Sequence, residues 1–185
     1  MGLIRDEPET IVSVEGDLPS GVLGEVRAHQ AIYRARPDVG GICRIMPPAT
    51  MALSTMGITP AARHGLGAYF APAPPLWNDP RLLRDSESAS RLATTLGSAS
   101  AVVMRANGAI TVGRDIEEAA TFAFFLEDAA RVERDIRSMG FDPATGLLDA
   151  CEIRARQTLS GGVVERLWQW LTEWQQPENS RAASR

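Results

Sequence analysis

Apolar and polar residues alternate in TIVSVEGD (10–17), which ends on Gly-Asp; a period of two predicts a strand and then a turn. After DLPSG the period changes. Residues 21–36 place Val22, Val26, Ile32 and Tyr33 on one helical face, and Pro37 stops that helix, because the residue before a proline avoids the α region. GGICRIM reads as a short buried strand, and PPATMALSTMG as a turn running into a short helix closed by Gly57. Residues 58–70 are irregular. PAPPLWNDP (72–80) is too rich in proline for a central strand and predicts a surface loop or an edge strand.

Asp85 or Ser86 can cap a helix over ESASRLATTL, which Gly97 ends. In AVVMRANGAITVG (101–113) two β-prone runs flank Asn-Gly, the dipeptide preferred in a tight hairpin turn with positive φ. A long helix is expected from about Ile116 to Met139, with an acidic first turn, arginines toward its end and Gly140 as C-cap. Another helix is expected to begin at Asp142 before Pro143. The last, GVVERLWQWLTEWQQ, brings together Trp168, Trp170 and Trp174, read as core or as a subunit interface. Strands interspersed with helices, ending in a helical third, imply one α/β domain with helices on both faces of a sheet. We take residues 1–176 as that domain and 177–185 as a disordered polar tail.

Composition narrows the chemistry. The chain has 185 residues, 44% of them hydrophobic, enough for one domain with a core. All nineteen basic residues are arginine. Without lysine, a Schiff-base lyase, a pyridoxal-phosphate enzyme and a phosphate loop ending in Gly-Lys-Ser/Thr are all excluded. His29 and His64 are the only histidines, which excludes a three-histidine metal centre. The net charge of -4 offers no basic field for nucleic acid, and no apolar run approaches the length of a membrane span. Two cysteines make no disulfide framework and MGLIRDEPET shows no signal-peptide pattern, so the expected location is cytoplasmic.

HQAIYRARPDVGGICRIMPPATMALSTMG, followed by AVVMRANGAITVGRDIEEAATFAFFLEDAARVE, resembles the class II aldolase/adducin family from about Pro19 to Glu133. The resemblance implies a three-layer α/β/α sandwich whose central, mainly antiparallel sheet is flanked by helices. It also implies a metal site built from His-x-His before a Ser-Pro-Tyr-Ala-Thr-like turn and a third histidine in a His-Gly. Registering Pro-Pro-Ala-Thr on that turn puts Cys43 and Ile45 at the two histidine positions with Arg44 between them, and Asn107 stands where the third is expected. Isoleucine ligates nothing and asparagine is a weak zinc ligand, so no metal and no other cofactor is expected. The family's acid/base carboxylate falls on Glu25, where burial near a cavity would raise its pKa. Only about twenty residues precede the matched helix, which leads us to expect a lost N-terminal layer or one supplied by another chain.

Each candidate also has a plain structural account. Cys43 is a small buried hydrophobe or a nucleophile. Arg44 pairs with an acid or faces an anion. Glu25 is a helix-dipole carboxylate or a proton carrier, and His64 a loop hydrogen-bonder or a site imidazole. Asn107 is a turn residue tolerating left-handed backbone, and Arg105 a rim charge. The combined expectation is a metal-independent lyase-type enzyme: Glu25 and His64 catalytic; Arg44, Arg105, Asn107, Cys43 and Arg63 holding a small carboxylated or carbonyl substrate. The alternative is a non-catalytic binding or scaffold protein. No nucleic-acid or membrane partner is expected; a homo-oligomer is, as a tetramer first and a dimer second.

Overall fold

A computed structural model describes residues 10–174. Four strands form one sheet in the order β1-β4-β3-β2: β1 Gly41–Ile45, β2 Leu76–Trp77, β3 Ala101–Met104 and β4 Ala109–Gly113. β4 is antiparallel to both β1 and β3, whereas the two-residue β2 runs parallel to β3. The sheet is thus mixed and mostly antiparallel. Proline-rich flanks confine β2 to the edge, since proline donates nothing to a ladder.

Both faces are covered. Beneath one lie α1 (Val26–Ala35) and α3 (Ser86–Leu96), which bury Ile32, Leu92 and Leu96 against Val102, Ile110 and Val112. Beneath the other lies α4 (Ile116–Ser138), which brings Phe122, Phe125 and Leu126 against Ala101, Val103 and Ala109. The strict alternation of β3 and β4 between these two cores is the period-two pattern of a sheet buried on both sides. The three-layer α/β/α arrangement expected from the resemblance is present.

α2 (Pro48–Thr55) follows β1 directly, with Pro48 at its first position, where no backbone donor is needed. Pro47 precedes it and offers no side-chain cap. The cap comes from α4 instead: Ala49 N and Thr50 N donate to Glu127 at 2.9 and 3.0 Å, and Thr50 Oγ1 donates to the same carboxylate at 3.1 Å. Asp85 and Asp115 cap α3 and α4 in the usual way.

Several local expectations fail for identifiable reasons. Residues 10–16 form no strand, although their apolar and polar residues alternate. They lie as an irregular strap on α1, where Gln30 Nε2 donates to Ser13 O and Arg34 Nη1 to Val14 O, so side chains take the place of a partner strand. The helix expected at Asp142 begins only with α5 (Ala150–Arg156), because Asp149 and Glu152 form a capping box there, while the Asp142 carboxylate closes a turn onto Ala144 N. In α6 (Val163–Trp174) Val164 is buried, but Trp168 is half-buried and Trp170 is 52% exposed against Phe124, so these two tryptophans are not core. The tail expectation for 177–185 falls outside the described residues.

Candidate functional site

β1 sends its side chains alternately to the two faces. Ile42 packs in the core of α1 and α3, whereas Ile45 packs on the α4 side. The pleat therefore carries Arg44 to the α1 side. This changes the reading drawn from the register on Pro-Pro-Ala-Thr: Arg44, with Met46 beside it, meets Asn107, while Ile45 is committed to the opposite core and Cys43 shares its side of the pleat. Burial pushes the Cys43 thiol up, so it stays protonated near neutrality.

Arg44 is held by named partners. Its Nη2 donates to Asn107 Oδ1 at 2.9 Å, and its Nη1 donates to Ile45 O at 2.7 Å and lies 3.4 Å from Met46 Sδ. Burial pulls the guanidinium pKa down and the Glu25 charge opposes that pull. Glu25 stands immediately before α1, with Oε1 accepting from Arg84 Nε at 3.0 Å and Oε2 buried without a partner. Burial raises the Glu25 pKa, but its own backbone N–H, Arg84 and Arg44 outweigh burial and hold it below the ordinary glutamate value. The elevated pKa expected for Glu25 is therefore corrected: it is a standing carboxylate.

The β3–β4 turn supplies Asn107, though not in the expected conformation. The left-handed residues are Ala106, at φ 55°, and Gly108, at φ 71°; Asn107 is not among them. Asn107 N closes the turn onto Met104 O, and Ala106 N donates to Ser54 Oγ at the end of α2 at 3.1 Å. The turn is thus fixed from α2, and the Asn107 side chain remains available to Arg44. Arg105 is half-buried beside Trp77 O and near Asp79, and its Nε is buried with no partner.

Two expected members lie elsewhere. His64 is on the α4 side of the sheet, with Nε2 3.8 Å from Asp128 Oδ2, and so does not join Glu25. Arg63 is buried against Glu133 at 2.6 Å and also donates to Thr145 O and Pro143 O, which uses its guanidinium structurally. The residue that the sequence reading passed over is His29, one turn beyond Glu25 on α1. It is half-buried, and burial together with Arg44 lowers its pKa. Its spacing of four from Glu25 was the signal that could have found it.

The donor set does not fit a divalent metal ion. Among the described residues no three His, Cys, Asp or Glu side chains gather to hold one. The group joining Asn107 to the Glu25 side is a guanidinium, which only donates and repels cations.

The family model described as Class II Aldolase and Adducin N-terminal domain matches residues 4–133. A 3,4-dihydroxyphthalate decarboxylase of Rhodococcus jostii (strain RHA1) is 26% identical over 134 residues, 68% of this chain and 54% of that protein. Alpha-adducin of Rattus norvegicus is 31% identical over 138 residues, 72% of this chain and 18% of that protein. The chain therefore spans about half the length of the decarboxylase and about a fifth of the adducin. L-fuculose 1-phosphate aldolase from Glaciozyma antarctica PI12 superposes with a TM-score of 0.67 at 22% identity, covering 87% of this chain and 64% of that one. An aldolase II superfamily protein from Pseudomonas syringae gives a TM-score of 0.67 at 23% identity, covering 88% and 68%. At these identities the structural likeness shows the shared fold.

Proposed function

Since this chain belongs to the class II aldolase and adducin N-terminal domain family, we propose that it is a lyase-type enzyme in which a fixed guanidinium stands in for a metal ion. The observation that carries the reading is Arg44, seated on Asn107 Oδ1 at 2.9 Å and within electrostatic reach of the Glu25 carboxylate. An enolate or carboxylate needs positive charge positioned before the reaction begins, and a half-buried arginine supplies it as an oxyanion hole does. Among the described residues, Arg44 Nε makes no hydrogen bond and Nη2 makes only the one to Asn107, so donors remain for a small carboxylated or carbonyl substrate.

Glu25 takes the proton. As an ionised carboxylate it suits reactions that begin with proton removal: the hydroxyl proton in aldol-type cleavage, a C–H proton in dehydration, or proton transfer in a cyclisation. Decarboxylation begins with loss of carbon dioxide and then needs a proton donor, which Glu25 becomes only after it has gained a proton.

Similarity to alpha-adducin favours a second reading, a non-catalytic binding or scaffold protein. The Arg84–Glu25 ion pair fits it as well, because it occupies one carboxylate oxygen. Mutagenesis with ligand screening separates the two. In an enzyme, Glu25→Gln abolishes turnover and keeps ligand binding, while Arg44→Ala loses both; metal analysis of the purified protein finds no stoichiometric ion. A scaffold leaves melting temperature, assembly and affinity for small carboxylates the same in both variants. We further propose a homo-oligomer, tetramer before dimer, because β1 is a sheet edge with no neighbouring strand among the described residues.

A further inference from the structure

α1 continues the helical stripe that Glu25 begins just before it. His29 and Tyr33 follow at successive spacings of four, so the three side chains share one helical stripe. His29 makes no hydrogen bond among the described residues. It lines a solvent-open cavity of about 440 Å³ together with Val12, Val14, Val22, Val26 and Tyr33. The strap over that cavity, residues 10–16, is anchored by Gln30 Nε2 on Ser13 O at 2.8 Å and Arg34 Nη1 on Val14 O at 2.9 Å. The volume is in the range of small-molecule sites, which are mostly apolar with a few convergent polar groups.

We propose that this cavity receives the body of the substrate and that His29 accepts a hydrogen bond from a hydroxyl on it, with the anionic end of the same molecule reaching out past His29 toward Arg44, which does not itself line the cavity. The proposal rests on the Arg44 reading and deepens it: the substrate class becomes a small carboxylate with an apolar body and a hydroxyl group. A neutral imidazole offers one ring nitrogen as acceptor, which a protonated ring does not. The neighbouring Arg44 charge and the burial of the ring both favour the neutral form. The four valines disfavour a charged group against their side of the cavity, because an unpaired charge there would lose hydration, while Thr10, Ser13 and Gln30 line the rest with polar groups.

Isothermal titration of the full chain with 3-hydroxybenzoate and with benzoate tests this. The unaltered protein is expected to bind the hydroxylated acid about tenfold more tightly, the ratio one well-made hydrogen bond gives. His29→Phe should remove the preference, so that the two acids bind alike, and Val26→Trp should weaken both acids by filling the cavity. Ring-nitrogen NMR should show 3-hydroxybenzoate, and not benzoate, shifting the His29 signals, with His64 as the unshifted control. Arg44→Ala should weaken both acids equally and keep the preference; if it changes neither affinity, the Arg44 reading fails independently. A preference that survives His29→Phe, or no binding of either acid at millimolar concentration, overturns the proposal.

Discussion

A Cβ placed on Gly108, whose φ is +71°, would run into Ile45 O and come within 2.8 Å of Arg44 Nη1 and 3.0 Å of Met46 Sδ. Alanine at this position is strained twice, by left-handed backbone and by the guanidinium packed against it. Gly108→Ala is therefore expected to destabilise the fold by about 1–3 kcal/mol and to displace Arg44 from Asn107. Thermal melting and benzoate titration together check it: a variant that melts normally and binds normally would show that the seat is unnecessary. Arg44 is conspicuous in the chain alone, as an arginine in an apolar run, whereas Glu25 and Asn107 become site candidates only through the family resemblance. Which way Arg44 points cannot be read there, since a shift of one residue exchanges the two faces of a strand. The Glu25 pKa was misread for a related reason. Its guanidinium partner Arg84 lies 59 positions away, and burial alone predicts the opposite direction.

Among the elements, α2 depends on a neighbour for its start. Its first turn presents Ala49 N and Thr50 N to Glu127, so a carboxylate from α4 does what an N-cap side chain ordinarily does. Glu127→Ala should cost about 1–3 kcal/mol and loosen α2, as amide exchange at 49–51 would report. Because Ser54 of α2 fixes the β3–β4 turn, the same variant should weaken anion binding at Arg44, although Glu127 lies on the other side of the sheet. Elements with local signals are legible in sequence: the Asp85 cap, the start of α4 at Ile116 and the β3–β4 hairpin all form close to where the pattern puts them. Segments governed by distant partners are not. The strap 10–16 alternates like a strand but finds α1 instead of a sheet edge, and the α5 start was decided by the Asp149–Glu152 capping box.

Among the described residues of the whole molecule, the most buried charge is Glu133, at 0% exposure, with Arg63 Nε and Arg137 Nε each at 2.6 Å. Burial raises its pKa, but the two arginines and Ala61 N overcome that and hold it below the ordinary glutamate value. A carboxylate depressed on folding contributes stability that is complete above its unfolded pKa and is lost as pH falls through the folded one. Unfolding followed in acid should therefore show stability falling below the ordinary glutamate range. Glu133→Gln should flatten that slope while lowering stability at neutral pH by about 3–5 kcal/mol, because Arg63 is left buried without a counter-charge. A slope identical to that of the unaltered protein would exclude Glu133 as its source.

One more consequence follows from the brevity of β2. Leu76 and Trp77 pair that edge with β3, Pro75 O adds one hydrogen bond from Val103 N, and the chain leaving it reaches Arg84, the partner of Glu25. Edge ladders this short open far more often than the domain unfolds. Leu83, buried in the α1–α3 core at 3% exposure, sits between that seam and Arg84, so the edge can fray while the Arg84–Glu25 ion pair stays seated.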